Sequence, residues 1–295
     1  MTRGLLSSRT MVAKIEYIEE IVARMEQAAA ANATSPGRAG GIVTLTPDAA
    51  DEVMITGDLH GQRKSFTQIR KVADLAGHPR RHLIMQEVVH GGQKYDNGGC
   101  MSHTMLEDVA KLQLEFPGRV HFLLSNHELS ELTDYPIQKG GSLLNLQFRM
   151  GINYTYGPAT DRVLRSYHAF IQSCPLAVRW DGVFACHSAP EEVDRKGFDM
   201  GIFSRPLTRP DLDPHGAVFE LVWGRDYSEE NARAFASLVG AEVLLHGHEP
   251  TDAGCATPNS LQVIFDCCHA TACYAVLPTN EPLNQEKVVA RIQKL

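Results

Sequence analysis

Several of the thirteen histidines stand directly behind short apolar runs, and these are the residues best placed to do chemistry. Val53–Gly57 leads into Asp58, His60 and Gly61, and Leu83–Met85 leads into Glu87 and His90. His121–Leu124 runs into Asn126, His127 and Glu128, Phe184–Cys186 into His187, and Val243–Leu245 into His246 and His248. In open α/β sheets ligands bind beyond the carboxyl ends of the strands, so five such ends can converge on one site. A carboxylate, several imidazoles and an amide oxygen gathered there are hard O and N donors suited to divalent Mn, Fe or Zn. Asp58 and His60 lie two apart, so an extended tip points both to one side of the chain. Each histidine taken alone reads as an ordinary core or surface imidazole; it is the five clusters together that point to a site.

The elements that must position these residues follow from the apolar pattern. Strands are expected at Val53–Thr56, Leu83–Met85, Val120–Leu124, Gly182–Cys186 and Val243–Leu245. Helical periodicity marks Ala13–Ala31, Phe66–Ala76, Thr104–Phe116, Asp161–Gln172 and Ser228–Val239. Strand–helix alternation of this kind argues for a layered α/β domain with helices covering a central sheet. The stretch Leu261–Leu277 is strand-rich without an intervening helix, the pattern of a hairpin. The chain divides into an N-terminal helical extension and loop, residues 1–41, and one domain, residues 42–295, with the first helix read as a packing appendage.

Composition limits the function classes. The 295 residues are 43% hydrophobic and 21% charged, ordinary for a globular protein with a sizeable core. A formal charge of −7 argues against a nucleic-acid or acidic-membrane binder, which needs broad positive surface. Seven scattered cysteines fit reduced thiols in a cytoplasmic protein. The opening Met1–Lys14 is too short an apolar stretch for a secretory leader, and no membrane span is expected. Neither a Walker-type nor a Rossmann-type glycine loop is present.

Gly-Asp-Leu-His-Gly at 57–61, Asn-His-Glu at 126–128, the strand-terminal His187 and Gly-His-Glu-Pro at 247–250 resemble the calcineurin-like metallophosphoesterases. The likeness is to the branch holding serine/threonine phosphoprotein phosphatases and bacterial diadenosine tetraphosphate hydrolases, and it covers about Val53 to Leu277. It implies an α/β (α+β layered) fold, a β-sandwich flanked by helices, with two divalent metal ions, Mn above Fe or Zn. Asp58 and His60 would hold the first metal, Asn126, His187 and His248 the second, with Glu87 between them and His127 as general acid. His246 competes with His248, which is preferred because it follows the glycine. The implied reaction is hydrolysis of a phosphate monoester, phosphoserine or phosphothreonine among them, by metal-activated hydroxide. A phosphodiesterase or dinucleotide-polyphosphate hydrolase, or a metal-binding protein without activity, are the alternatives.

One segment departs from the family pattern Gly-Asp-x-Val-Asp-Arg-Gly. Here it reads Gln86-Glu87-Val88-Val89-His90-Gly91-Gly92. Glu87 stands where the bridging Asp belongs, one methylene longer. His90 replaces the Asp that orients the catalytic histidine, and Gly91 replaces a phosphate-binding Arg. Three readings follow: a working Glu87 bridge, His90 as a new ligand or phosphate donor, or a degenerate site. Arg225, behind Trp223, is the candidate substitute clamp, set against a surface pair with Asp226; Arg149 and Arg162 are less constrained. Cys267, Cys268, His269 and Cys273 are read as buried thiols of late strands rather than a zinc site.

Overall fold

Apolar side chains run along both faces of the central strands, and a strand of that kind must be covered twice. The structure, a computed structural model, describes residues 8–295. Residues 1–7, part of the stretch judged too short for a leader, lie outside the described residues. The strands in chain order are β1 (Arg38–Ala39), β2 (Ile42–Thr44), β3 (Glu52–Asp58), β4 (Arg81–Gln86), β5 (Val120–Leu123), β6 (Gln138–Lys139) and β7 (Ser142–Leu143). Then come β8 (Ala177–Trp180), β9 (Val183–Cys186), β10 (Val243–His246), β11 (Cys255–Ala256), β12 (Gln262–Phe265), β13 (Cys273–Pro278) and β14 (Ile292–Lys294). They form a five-stranded sheet in the order β14-β13-β3-β4-β5 and a seven-stranded sheet in the order β1-β2-β8-β9-β10-β12-β11, with β6 and β7 as a separate hairpin.

Alternation sorts the side chains between two cores. Val53, Ile55, Ile84 and Leu123 of the first sheet meet Val183, Ala185, Val243 and Leu245 of the second. Their neighbours Met54, Leu83, Met85 and Phe122 point the other way, beneath helices. The result is a β-sandwich with helical outer layers. The helices before β8 are α1 (Ser8–Ala33), α2 (Arg63–Ala73), α3 (His103–Glu115), α4 (Asn126–Thr133), α5 (Leu144–Tyr156) and α6 (Thr160–Ser173). On the other sheet Phe184 sits edge-on to Phe235 of the helix Glu229–Val239, ring centroids 6.0 Å apart. Among the described residues no helix is long and apolar enough to cross a membrane.

Parallel pairing decides where the chemistry falls. β3, β4 and β5 run parallel, as do β9, β10 and β12, so their carboxyl ends collect at shared edges. A parallel bridge between Asp58 and Asp266 joins the ends of β3 and β12 across the sandwich. The hairpin expected over Leu261–Leu277 is corrected here. β12 pairs parallel with β10 and β13 antiparallel with β3, so the two enter different sheets. Each has an apolar face to bury, and the sandwich offers a separate place for each.

The first helix joins the same core as the rest of the chain. Ile21, Val22, Met25 and Ala28 of α1 are buried together with residues of α3 and α6. Asn32 ties both neighbours, donating to Ser173 Oγ at 2.9 Å and accepting from Gln113 Nε2 at 2.8 Å. Met25→Ala is therefore expected to cost about 2–5 kcal/mol of stability, read from urea unfolding. A loss under about 0.5 kcal/mol, the scale of a surface substitution, would show that α1 contributes little.

Candidate metal centre

The loops that carry the site residues are held in unusual backbone conformations. Among the described residues eight non-glycine residues have positive φ, and four of them are His60 (41°), Glu87 (47°), His90 (64°) and His248 (67°). Left-handed backbone at such residues costs energy and persists only where surrounding contacts impose it. Glu128 supplies some of those contacts. Its buried Oε1 accepts from the amides of Val88 and Val89 at 2.9 and 3.0 Å, pinning the loop between Glu87 and His90. The amides of Leu59 and His60 both donate to the Glu87 carbonyl, at 2.8 and 2.9 Å, which ties the β3 and β4 loops together.

Hydrogen bonds outside the centre fix which nitrogen of each imidazole faces inward. His60 Nδ1 donates to the Val89 carbonyl at 3.1 Å, leaving the Nε2 lone pair directed into the site. His248 Nε2 donates to the Trp223 carbonyl at 3.3 Å, leaving Nδ1 inward. For His187 the partner is Gln86. Its Nε2 donates to the Thr56 carbonyl at 3.0 Å, so its Oε1 accepts from His187 Nδ1 at 2.9 Å and His187 Nε2 is left inward. Gln86 therefore orients a proposed ligand, a task nothing in the sequence marks.

The inward atoms fall into two groups around one carboxylate. Glu87 Oε1 lies 3.8 Å from His60 Nε2 and 3.4 Å from His127 Nε2. Glu87 Oε2 lies 3.2 Å from His187 Nε2. Asn126 Oδ1 is 2.7 Å from that same Nε2 and 3.1 Å from His248 Nδ1. Of the three sets of three donor groups among the described residues, two share Glu87: His60 with Glu87 and His127, and Glu87 with His187 and His248. Asp58 stands beside them, Oδ1 3.9 Å from His187 Nδ1, and that oxygen has no hydrogen-bond partner among the described residues. Lone pairs facing lone pairs at these distances repel unless a cation lies among them, so the donor set fits divalent metal. A cation bound at each group would have Glu87 in common.

Electrostatics agrees. Burial pushes the Glu87 carboxyl up to about 8 and, with the negative charge of Glu87 beside it, drives Asp58 well above the usual carboxylate range. Burial lowers His60 to about 4 and also lowers His187 and His248, the imidazoles that face Glu87 and Asn126, and His127 beside them. Neutral imidazoles and a shortage of positive charge are what a metal ligand set requires.

The remaining sequence candidates divide. His246 faces away, against the Cys186 carbonyl at 3.0 Å and Gln262 Nε2 at 3.2 Å. His90 spends both ring nitrogens inside the protein, on Glu131 Oε1 at 2.7 Å and His127 Nδ1 at 3.1 Å, which leaves none to meet a phosphate. Arg225 pairs with Glu249 rather than Asp226 and reaches the His248 carbonyl at 3.5 Å, at the rim of the second donor group. Arg149 and Arg162 pair with Asp134 and Glu19. Cys268 and His269 turn toward Asp266 at the cleft mouth and form with it a third group of possible metal donors, so Cys268 is not one of the buried thiols expected, whereas Cys267 and Cys273 are.

No protein-family model matches the sequence, and no curated protein matches it. The structure is similar to a protein serine/threonine phosphatase from Saccharomyces cerevisiae, with a TM-score of 0.70, 13% identity, and coverage of 94% of this chain and 89% of that one. It is also similar to a cold-active protein-tyrosine phosphatase of a psychrophilic Shewanella species, with a TM-score of 0.57, 12% identity, and coverage of 82% and 78%. The fold is shared with these two phosphatases.

In this fold a cleft of about 430 Å³ opens beside His60 and His127, lined also by Lys94, Gly91, Lys139 and Gln147. Gly91 has a packing reason to be glycine. A Cβ there would strike the His60 carbonyl oxygen and lie 3.0 Å from its Cβ, so no arginine fits without moving that loop. Positive charge reaches the cleft instead from Lys94 and Lys139, neither of which has an ion-pair partner among the described residues. Lys139 sits on the β6–β7 hairpin, an element without sequence signal.

A folded-state carboxyl raised above its ordinary 4.5 stabilises the protein at low pH, and that stability is lost as pH climbs through about 8. An imidazole lowered to about 4 works oppositely, adding stability as pH rises to 6.5. The chelated protein is thus expected to gain melting temperature up to about pH 6.5 and lose it toward pH 8. Glu87→Gln should flatten most of the falling limb in thermal-shift scans; an unchanged decline would remove Glu87 as its source.

Proposed function

We propose that this chain is a dinuclear metal-dependent phosphoesterase that hydrolyses phosphate monoesters, with phosphorylated serine or threonine side chains as the substrate class. The observation that carries the reading is the division of Glu87, one oxygen toward His60 and His127 and the other toward His187, with Asn126 and His248 completing the second group. The resemblance to the phosphatase branch in the strand-end motifs supports it, as does the fold shared with a serine/threonine phosphatase. Manganese is the proposed metal, with iron or zinc suited to the same donors.

Two divalent cations bound there would polarise the phosphoryl group, neutralise developing charge and acidify a water molecule. The protein's own residues do the rest. His60, Asn126, His187 and His248 hold neutral nitrogens and an amide oxygen inward. Lys94 and Lys139 draw a dianionic ester to the cleft, and Arg225 offers a further cation at the rim. His127 presents Nε2 beside Glu87 and, when protonated, gives its proton to the departing oxygen. The seven free cysteines fit a cytoplasmic, reducing setting.

A chelated sample should lack activity on p-nitrophenyl phosphate and regain it with Mn. No turnover with any of Mn, Fe, Zn or Mg would overturn the reading, and turnover of dinucleotide polyphosphates but not phosphopeptides would move it to a different substrate.

His127→Ala should lower kcat about 100-fold or more on a phosphoserine peptide, whose alkoxide leaves poorly, and much less on p-nitrophenyl phosphate. Its metal content should stay intact. Loss of one metal equivalent would make His127 a ligand instead of an acid.

A further inference from the structure

The mechanism above uses His127 but leaves unexplained a buried chain of ionisable groups behind it. Glu131 lies on α4 one turn beyond His127, the i,i+4 spacing that places both side chains on one helix face. The ring of His90 fills the space between them. Its Nε2 lies 2.7 Å from Glu131 Oε1 and its Nδ1 lies 3.1 Å from His127 Nδ1. The side chains of His90 and Glu131 have no solvent exposure.

Both ends of the chain are anchored. The amide of His90 donates to Ser102 Oγ at 3.0 Å, and its ring meets Phe148 edge-on with centroids 5.6 Å apart. Glu131 Oε1 also accepts from Asn145 Nδ2 at 2.9 Å, and Arg149 Nε stands 3.6 Å from its other oxygen. No rotamer change is available to His90 without breaking these contacts.

With a carboxylate at Glu131 and a neutral imidazole at His90, one hydrogen-bond direction along the chain follows. A carboxylate only accepts, so His90 Nε2 must donate to Glu131. A neutral imidazole with its proton on Nε2 accepts at Nδ1, so the contact between the two Nδ1 atoms requires the proton on His127. We propose that Glu131 and His90 are positioning residues that hold the ring of His127 and keep a proton on its Nδ1, so that Nε2 alone faces the cleft. His90 thereby extends the reach of a carboxylate that sits one ring further away than a direct carboxylate–histidine pair would place it. The role assigned to this pair rests on the acid function proposed for His127.

The first test needs no turnover. Long-range 1H–15N NMR of the chelated wild type reads the tautomer of His127 directly, and Nδ1–H is expected. His90→Leu removes the acceptor and should mix the two tautomers. With Mn restored, it should lower kcat about 100-fold on a phosphoserine peptide while KM stays within about twofold, because substrate contacts are untouched. His90→Asn keeps an acceptor near the Nδ1 position and should recover kcat to within about tenfold of wild type, which separates positioning from packing. It also serves as the folded comparison if the leucine variant fails to fold around Glu131.

An Nε2–H tautomer in the wild type, or full kcat in His90→Leu, would overturn the proposal. So would equal losses of kcat in His90→Leu and His90→Asn when both are folded. A wild type inactive on every ester would sink the catalytic reading, while the tautomer would still decide whether Glu131 and His90 set the ring of His127.

Discussion

Hydrogen-bond acceptors crowd together at the end of this sandwich. Glu87, Asp58, Asn126, His187 and His248 are buried and His60 half-buried within a few ångströms of one another, and Asp58 Oδ1 has no hydrogen-bond partner among the described residues. Removing such groups from water costs several kcal/mol each unless compensating charge arrives. The raised carboxyls and lowered imidazoles express the same tension. A site of this kind is poor at stabilising the fold and well suited to binding cations, so the surrounding structure must hold it together.

That support comes from outside the cluster. Parallel strands from two sheets bring five loop starts to one edge, and the residues that turn there accept left-handed backbone to aim their side chains. Glu128 holds the β4 loop by two amides, and Gln86 holds His187. Gly247 makes the close approach possible, since a Cβ there would strike Asp58 and lie 2.8 Å from the Gln86 amide carbon. Gly91, where the sequence resemblance would call for an Arg, belongs to the same packing, because the β3 and β4 loops cross where such a side chain would start.

Much of this was legible in the sequence, because strand ends are local. An apolar run followed by Asp, Asn or His shows itself without knowledge of what lies beside it, and each expected strand overlaps an observed one, with only Leu124 and Gly182 falling one residue outside. Gln86 carries no such signal, since its role depends on Thr56 and His187, both distant in sequence. Glu131 is four residues beyond His127, but the spacing has meaning only once Asn126–Thr133 is known to be helical. Strand partners are equally non-local, which is why β12 and β13 read as a hairpin although each enters a different sheet. The hairpin bearing Lys139 is short and polar and follows from no periodicity.

The central claim is that one carboxylate stands between two cation sites. Anomalous diffraction from crystals grown with Mn, recorded on both sides of the Mn absorption edge, tests it most directly. Two peaks per chain are predicted, one contacted by His60 and Glu87 and the other by Glu87, Asn126, His187 and His248. A single peak that Glu87 does not touch, or none at saturating Mn, would contradict the account.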